Sequence, residues 1–358
     1  MGVLALDIGA TKFAAAVLPT NHAASPSTAR AGRDPAAPSD RAAEVGGVVV
    51  PHDDSARLPV DEAGDPASRF PLCHQRRVDV PAHDVWDACR DLLHRVVDAA
   101  DASGDGERFE VTAVGIAAAG PVDVRAGSTA PLNIPEWRDG FGIVAAVREL
   151  FPRAEIHFAI DGAALALAEY RIGGLRGVRS GLAMTVSSGI GGGIIDDGRV
   201  LFGRTGNAGH VGHIVVPGWD VPCACGGVGC VEAVASGMSS VRWAREQGWA
   251  GTIGTELARD ANAGDNTAVA ALHRAGTALG QAISSAAATL DLDRVVIGGG
   301  FAESGPLLWN PLHEAVSRHA QLTFTRSLRV TKSEITDGAT LVGAALLASH
   351  GDALGSSG

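Results

Sequence analysis

Two apolar runs open the chain, Val3–Ile8 and Phe13–Leu18, and Gly9-Ala10-Thr11-Lys12 between them predicts a strand–turn–strand hairpin. The pattern then breaks. Nine of the 17 prolines fall between Pro19 and Pro81, and residues 20–44 show little periodicity, so a flexible excursion is expected over about 19–74. Val48–Val50 and Arg76–Val80 are candidate strands within or beside it. From His83 to Ala100 the apolar positions Val85, Trp86, Ala88, Leu92, Leu93, Val96 and Val97 recur at helical spacing. Val111–Ala117 reads as a buried strand, and Ile156–Ile160 as another that runs into the alanine-rich helix Gly162–Tyr170. Leu182–Val186, Gly192–Asp196 and Val211–Val216 form a second set of expected strands. Helices are expected around Ser239–Gln247, Asn266–Thr289, Leu307–His319 and Ala339–Ala348, with a strand at Val295–Ile297. Strands interleaved with helices predict an α/β protein, and 358 residues suggest two lobes.

Charge and cysteine usage narrow the function classes. The formal net charge is −11, with no basic cluster. Such a surface repels phosphate backbones, so neither nucleic acid nor an anionic membrane is an expected partner. A nucleotide remains compatible, because glycine loops hold phosphates through backbone N–H groups. Three of the five cysteines crowd between Cys223 and Cys230, which suits one metal site in a reducing compartment better than a disulfide framework. Asp7 interrupts the first apolar run, no basic segment precedes it, and no stretch of about 18 apolar residues occurs, so the expectation is a soluble cytoplasmic protein.

Three glycine-bearing loops carry candidate chemistry. In Asp7-Ile8-Gly9-Ala10-Thr11-Lys12 a tight turn lets backbone approach a phosphate, Thr11 and Lys12 can donate hydrogen bonds, and Asp7 can hold Mg²⁺ through water. A plain hairpin turn with a capping aspartate explains the same residues. Ser188, Gly189, Gly191 and Gly192 belong to a run that is costly to order unless a ligand or another backbone comes close. Gly299 and Gly300 follow a strand at its carboxyl end, where α/β folds bind ligands. G-x-G-x-x-G is absent after the first strand, which argues against a dinucleotide.

His213, Cys223, Cys225 and Cys230 supply one imidazole and three thiolates, a complete four-ligand shell of the kind that makes a structural Zn²⁺ site. Together with the three loops, Gly206–His213 and Cys-x-Cys-Gly-x2-Gly-Cys-x-Glu resemble the signature of the ROK family (repressor, open reading frame, kinase) in the actin-like sugar kinase superfamily. The resemblance implies a two-lobed actin-like ATPase (ribonuclease H-like) fold with a structural zinc loop. It places residues 1–120 in a small α/β lobe, completed by a C-terminal helix at about 336–350. Residues 121–335 form a large lobe with the zinc loop and dimerisation helices. ATP, Mg²⁺ and Zn²⁺ are the implied cofactors, a small polyol the implied substrate, and a homodimer or homotetramer the implied assembly. Repressors of the family carry a helix-turn-helix before the Asp-Ile-Gly segment, and none is expected ahead of residue 7 here.

Position by position, the resemblance makes Asp161 the base that takes a proton from the attacking hydroxyl. From the sequence alone Asp161 reads more readily as a helix N-cap. Asn133, His213 and Glu232 match residues that bind ring hydroxyls, His213 through the nitrogen that does not face zinc. Three positions depart from the family pattern: Ala10 stands for a glycine, Ile160 for a sugar-binding asparagine, and His210 for a glutamate that contacts hydroxyls near the anomeric carbon. Each lost buried partner costs about 1–3 kcal/mol, so two such losses argue against glucose. The expected activity is therefore ATP-dependent phosphorylation of a C7-cyclitol of the valiolone or valienone type, or of a non-glucose hexose. Glucose or an amino sugar is the alternative acceptor, and a non-catalytic sugar sensor is the alternative of another class.

Overall fold

The computed structural model describes residues 1–19, 71–103 and 108–349. The candidate strand Val48–Val50 and most of the expected excursion lie outside the described residues. The chain opens as expected, with strands β1 (Gly2–Ile8) and β2 (Lys12–Pro19) in an antiparallel hairpin whose register pairs Ile8 with Phe13. Strand β3 (Cys73–Asp79) adds antiparallel to β2. Helix α1 (Val85–Ser103) buries Val85, Cys89, Leu92, Leu93 and Val96, the face that the apolar spacing marks out.

Strand β4 (Val111–Ala118) then pairs parallel with β1. A small two-stranded ribbon, β5 (Val122–Asp123) and β6 (Ser128–Thr129), and helix α2 (Ile143–Leu150) lead to β7 (Glu155–Ile160), parallel to β4. Helix α3 (Asp161–Ile172) follows without a break. The first sheet thus has the order β3-β2-β1-β4-β7. It reaches past the expected boundary at residue 120, because β7 finds its hydrogen-bonding partner in β4.

The second half repeats the plan. Strands β8 (Gly181–Val186), β9 (Ile190–Asp196) and β10 (Arg199–Val200) form an antiparallel meander. Helices α4 (Val231–Ala235), α5 (Gly237–Glu246), α6 (Gly254–Asn262) and α7 (Asn266–Leu290) precede β11 (Arg294–Gly298), which pairs parallel with β8. Helix α8 (Pro306–His319) and β12 (Arg329–Lys332), parallel to β11, complete a sheet of order β10-β9-β8-β11-β12. Both sheets therefore share one plan: a meander of three strands, then two parallel strands added at the first strand's free edge. Asp265 caps α7, its Oδ1 accepting from Ala268 N at 2.8 Å.

The expected strand Val211–Val216 is not one. Val211–His213 forms a 3₁₀ turn, with His213 N bonded to His210 O at 3.1 Å. Only Val215 makes a strand-like bridge, to Cys230. Backbone groups satisfied by local i→i+3 bonds are not free to join a ladder.

Helix α9 (Ala339–Ser349) returns to the first sheet and packs on β1, β4 and α3. The approach is close: a Cβ on Gly343 would lie 1.9 Å from Ala164 O. Gly343→Ala is therefore expected to part α9 from α3 and to cost about 1–3 kcal/mol by overpacking. A urea melt checks this; an unchanged midpoint would contradict the packing.

Candidate active site

The carboxyl ends of the strands bring the candidate residues together. Asp7 lies near the end of β1, and Asp161 follows the last residue of β7, with β4 between the two strands. In register, Asp7 faces Ala14, and Ala14 faces Arg77 on β3. The short alanine leaves Arg77 free to act on Asp7 across it. Arg77 itself pairs with Asp337 at 2.7 Å. Asp7 is pushed up to about 7, first by burial and then by the charge of Asp161, with Arg77 opposing.

Asp161 is the first residue inside α3, and Ile160 occupies the N-cap position. Its Oδ1 accepts from Gly162 N at 2.7 Å. The carboxyl is pushed up to about 6 by burial; the Gly162 N–H opposes this, and the charge of Glu232 adds to it. The helix start is locked against the glycine hairpin, since a Cβ on Gly162 would meet Gly192 O at 1.9 Å. That contact explains glycine on both sides of the interface between α3 and β9.

Glu232, in the first turn of α4, reaches back to the same hairpin. Its Oε2 accepts from Ile190 N at 2.8 Å, and the Cβ position of Gly189 lies 2.8 Å from that oxygen. Asp7 is thus within electrostatic reach of Asp161, and Asp161 within reach of Glu232. Such a chain of half-buried acids is costly unless a cation or proton-bearing ligand shares it.

Lys12, Ser188 and Gly300 line one cavity of about 1020 Å³, together with Met238, Arg242 and Phe301. The hairpin turn of the first sheet and two loops of the second therefore border a single space. The remaining loop residues stand where the sequence places them: Gly9 in the β1–β2 turn, bonded to Lys12 O at 3.0 Å, and Thr11 exposed beside it. Gly191 lies within β9, and Gly299 follows β11.

His210 stands close to Ile160: the Cβ position of Gly120 lies 2.6 Å from His210 Nε2 and 2.8 Å from Ile160 Cδ1. Burial, and then His213, hold His210 below the usual histidine range. The rings of His210 and His213 are 5.7 Å apart. Asn133 is not drawn in with these groups. It stands exposed before the 3₁₀ turn Pro135–Trp137, with no hydrogen bond to the other candidates among the described residues. Arg77, Arg242 and Asn207, whose side chain touches His210, escape the sequence reading.

The four expected metal ligands converge, with all ligand atoms within 4.8 Å of one another. Cys225 and Cys230 sulfurs are 3.8 Å apart, as are Cys223 Sγ and His213 Nδ1. A tetrahedron with Zn–S near 2.3 Å and Zn–N near 2.0–2.1 Å has edges of roughly 3.5–3.8 Å. The residues fit a structural zinc ion. Burial pushes the Cys230 thiol up to about 12, while the Gly227 N–H draws that of Cys225 down.

Comparison with known proteins agrees with this geometry. The model of the ROK family matches residues 68–350. A glucokinase of Aeropyrum pernix is 32% identical over 263 residues, covering 68% of this chain and 81% of that one. An N-acetylmannosamine kinase of Citrobacter koseri is 32% identical over 283 residues, covering 76% and 90%. Among solved structures, a ROK family glucokinase of Streptomyces griseus in complex with glucose and AMPPNP superposes with a TM-score of 0.70 at 25% identity, covering 97% of this chain and 99% of that one.

Proposed function

Since the chain belongs to the ROK family, we propose that it transfers the terminal phosphoryl group of ATP to a hydroxyl of a sugar-like polyol, with Asp161 as general base. The observation that carries this reading is the Asp161 carboxyl, raised to about 6 and bonded through Oδ1 to Gly162 N. Oδ2 is left to receive the acceptor's proton. A base of that strength is ionised at neutral pH yet basic enough to assist the attack, a contribution of about 10²- to 10⁴-fold. Positioning and charge neutralisation supply most of the rest in phosphoryl transfer.

The glycine hairpin Ser188–Gly192 and the Gly299-Gly300 loop hold the nucleotide, with Lys12 at the phosphate end of the cavity. Mg²⁺, when bound with ATP, offsets phosphate charge, and Asp7 is the oxygen donor placed to orient it. Glu232 keeps Oε1 for an acceptor hydroxyl while Oε2 steadies the hairpin. The zinc loop holds His213 and Glu232 in place. The two sheets act as lobes that close on acceptor and nucleotide.

Ile160 and His210 favour an acceptor other than glucose, either a C7-cyclitol of the valiolone type or a different hexose. Where the resemblance expects a carboxylate and an amide for glucose, this chain has the His210 imidazole and the buried aliphatic side chain of Ile160. An ADP-release assay over glucose, N-acetylmannosamine, valiolone and valienone tests this. At least one non-glucose acceptor is expected to exceed glucose about tenfold in kcat/KM. Glucose exceeding every other acceptor would overturn the assignment, and no ADP release with any of them would remove the kinase itself.

A further inference from the structure

Beside the segment that leads into the zinc loop lies a second cavity, of about 430 Å³, which the proposed reaction does not use. Asp220 borders it from that segment, Ala233 from α4, Arg242 from α5 and Arg274 from α7. Its volume falls within the roughly 300–1,000 Å³ of small-molecule sites.

Arg274 is partly buried and held in place at this wall. Its guanidinium lies over two indoles, 5.9 Å from the Trp219 ring and 5.5 Å from the Trp243 ring, and Nη1 donates to Val234 O. A guanidinium carries further N–H donors, and those of Arg274 have no hydrogen-bond partner among the described residues. Arg242 borders the same space, and its bond to Ala233 O is long at 3.4 Å. Neither guanidinium makes an ion pair among the described residues. Burial, and then the charge of Arg242, hold Arg274 below the ordinary arginine range, with Glu246 opposing. Two cations partly withdrawn from water repel each other, and an anion between them relieves both costs. The rest of the wall suits hydroxyls and a carbon ring. Asp220 and Glu246, both exposed, line the cavity as acceptors, and Trp243 adds an aromatic surface.

We propose that this cavity binds a phosphorylated polyol, with its phosphate on Arg242 and Arg274 and its hydroxyls on Asp220 and Glu246. That is the class of product which the proposed reaction forms. Arg242 and Glu246 also line the nucleotide cavity, so the two spaces share a wall. A phosphate that draws Arg242 into the small cavity takes a cation away from the large one. Product therefore weakens donor binding from outside the active site, and the donor weakens product binding by the same factor. The feedback role rests on the kinase reading above; the site itself does not.

Titration of the full chain tests this, with glucose 6-phosphate as the probe and tryptophan fluorescence as the readout. Glucose and AMPPNP are present at saturation, so that the acceptor and nucleotide sites are filled. The probe is expected still to change the emission of the wild type, and no change would overturn the proposal. Arg274→Met is expected to raise the half-saturating concentration more than about tenfold, by removing the donor fork. Its turnover in the absence of product should match the wild type, because Arg274 does not line the nucleotide cavity. Asp220→Asn, an exposed change that spares the fold, is expected to weaken glucose 6-phosphate and leave inorganic phosphate unaffected. Inorganic phosphate itself should bind about tenfold more weakly than the probe; equal binding would remove the polyol from the assignment. Calorimetry without added glucose then follows AMPPNP affinity, which saturating probe is expected to lower about fivefold or more in the wild type. The same loss in Arg274→Met would place the probe in the active site alone and refute the second site. Absence of ADP release from the wild type would remove the kinase reading, while the fluorescence titration would still report the site.

Discussion

Asp161→Asn is expected to lower kcat by about 10²- to 10⁴-fold while leaving nucleotide affinity within a few fold of wild type. The amide keeps the shape of the side chain and its contact with Gly162 N, because an amide oxygen accepts as the carboxylate Oδ1 does. What it removes is the ability to take a proton. Asp161 makes no hydrogen bond to the cavity residues Lys12, Ser188 or Gly300, so ATP binding has no reason to change. ADP release with a saturating acceptor, beside calorimetry with AMPPNP, separates the two effects. A variant with half the wild-type rate would show that positioning alone carries the reaction.

The same substitution should stabilise the fold at neutral pH, and the sign follows from the direction of the shift. Asp161 is raised from 3.8 to about 6 in the folded chain, so between those values the folded state binds more protons than the unfolded one. Stability attributable to this group is present below about pH 4 and is lost as pH rises to about 6. Above that the buried charge weighs against folding, and asparagine carries none. A helix cap behaves in the opposite way: losing its charge weakens the helix. A rise in melting temperature at pH 7.5 together with lost activity therefore identifies a base, and a fall in both identifies a structural carboxylate. Over pH 5–7 the wild-type rate should climb as Asp161 ionises.

Much of this site is readable in the sequence because its parts are local. The Gly-Ala-Thr-Lys turn, the glycine hairpin and the Cys-x-Cys-x4-Cys loop each fit within about ten residues, and each constrains the backbone directly. Helix α1 and strand β4 are legible for the same reason: burial imposes their period. What escapes is decided by distant partners. Arg77 matters to Asp7 only because β1, β2 and β3 align Asp7, Ala14 and Arg77 in one row. Asn207 gains its meaning from Val122, 85 residues away. Val211–Val216 has the composition of a strand, yet Val211 and His213 are satisfied within a 3₁₀ turn. Helix α4 is five residues long, too short for its period to show against the glycines and cysteines before it. The expected lobe boundary at residue 120 fails to follow the sheet for a similar reason, since only hydrogen bonding to β4 reveals where β7 belongs.

Removing zinc is expected to have the widest effect of any single treatment. Structural zinc in small peptides contributes an apparent 10–16 kcal/mol at pH 7, and the loop here has little else to hold it. Between Cys223 and Cys230 the turn relies on a few backbone bonds, such as Cys223 N to Gly227 O at 2.8 Å. Its two ends lead directly to the site. His213 belongs to the group that fits the metal and is a neighbour of His210, while Cys230 immediately precedes α4, which carries Glu232. Loss of the metal should free Glu232 from Ile190 N and so loosen both acceptor contacts and the phosphate hairpin. Dialysis against a strong chelator is expected to weaken acceptor affinity more than about tenfold and to lower the melting temperature, with readdition of Zn²⁺ restoring both. Cys225→Ser should mimic the treatment, because a serine hydroxyl is a poor replacement for a thiolate at this metal. Mildly acid conditions should act in the same sense, since burial pushes Cys230 towards its protonated form and protons compete with the metal for its sulfur. Metal analysis of the purified chain is expected to give one zinc per chain. If the chelated protein, verified to be metal-free, binds acceptor as tightly as before, the loop does not organise the site.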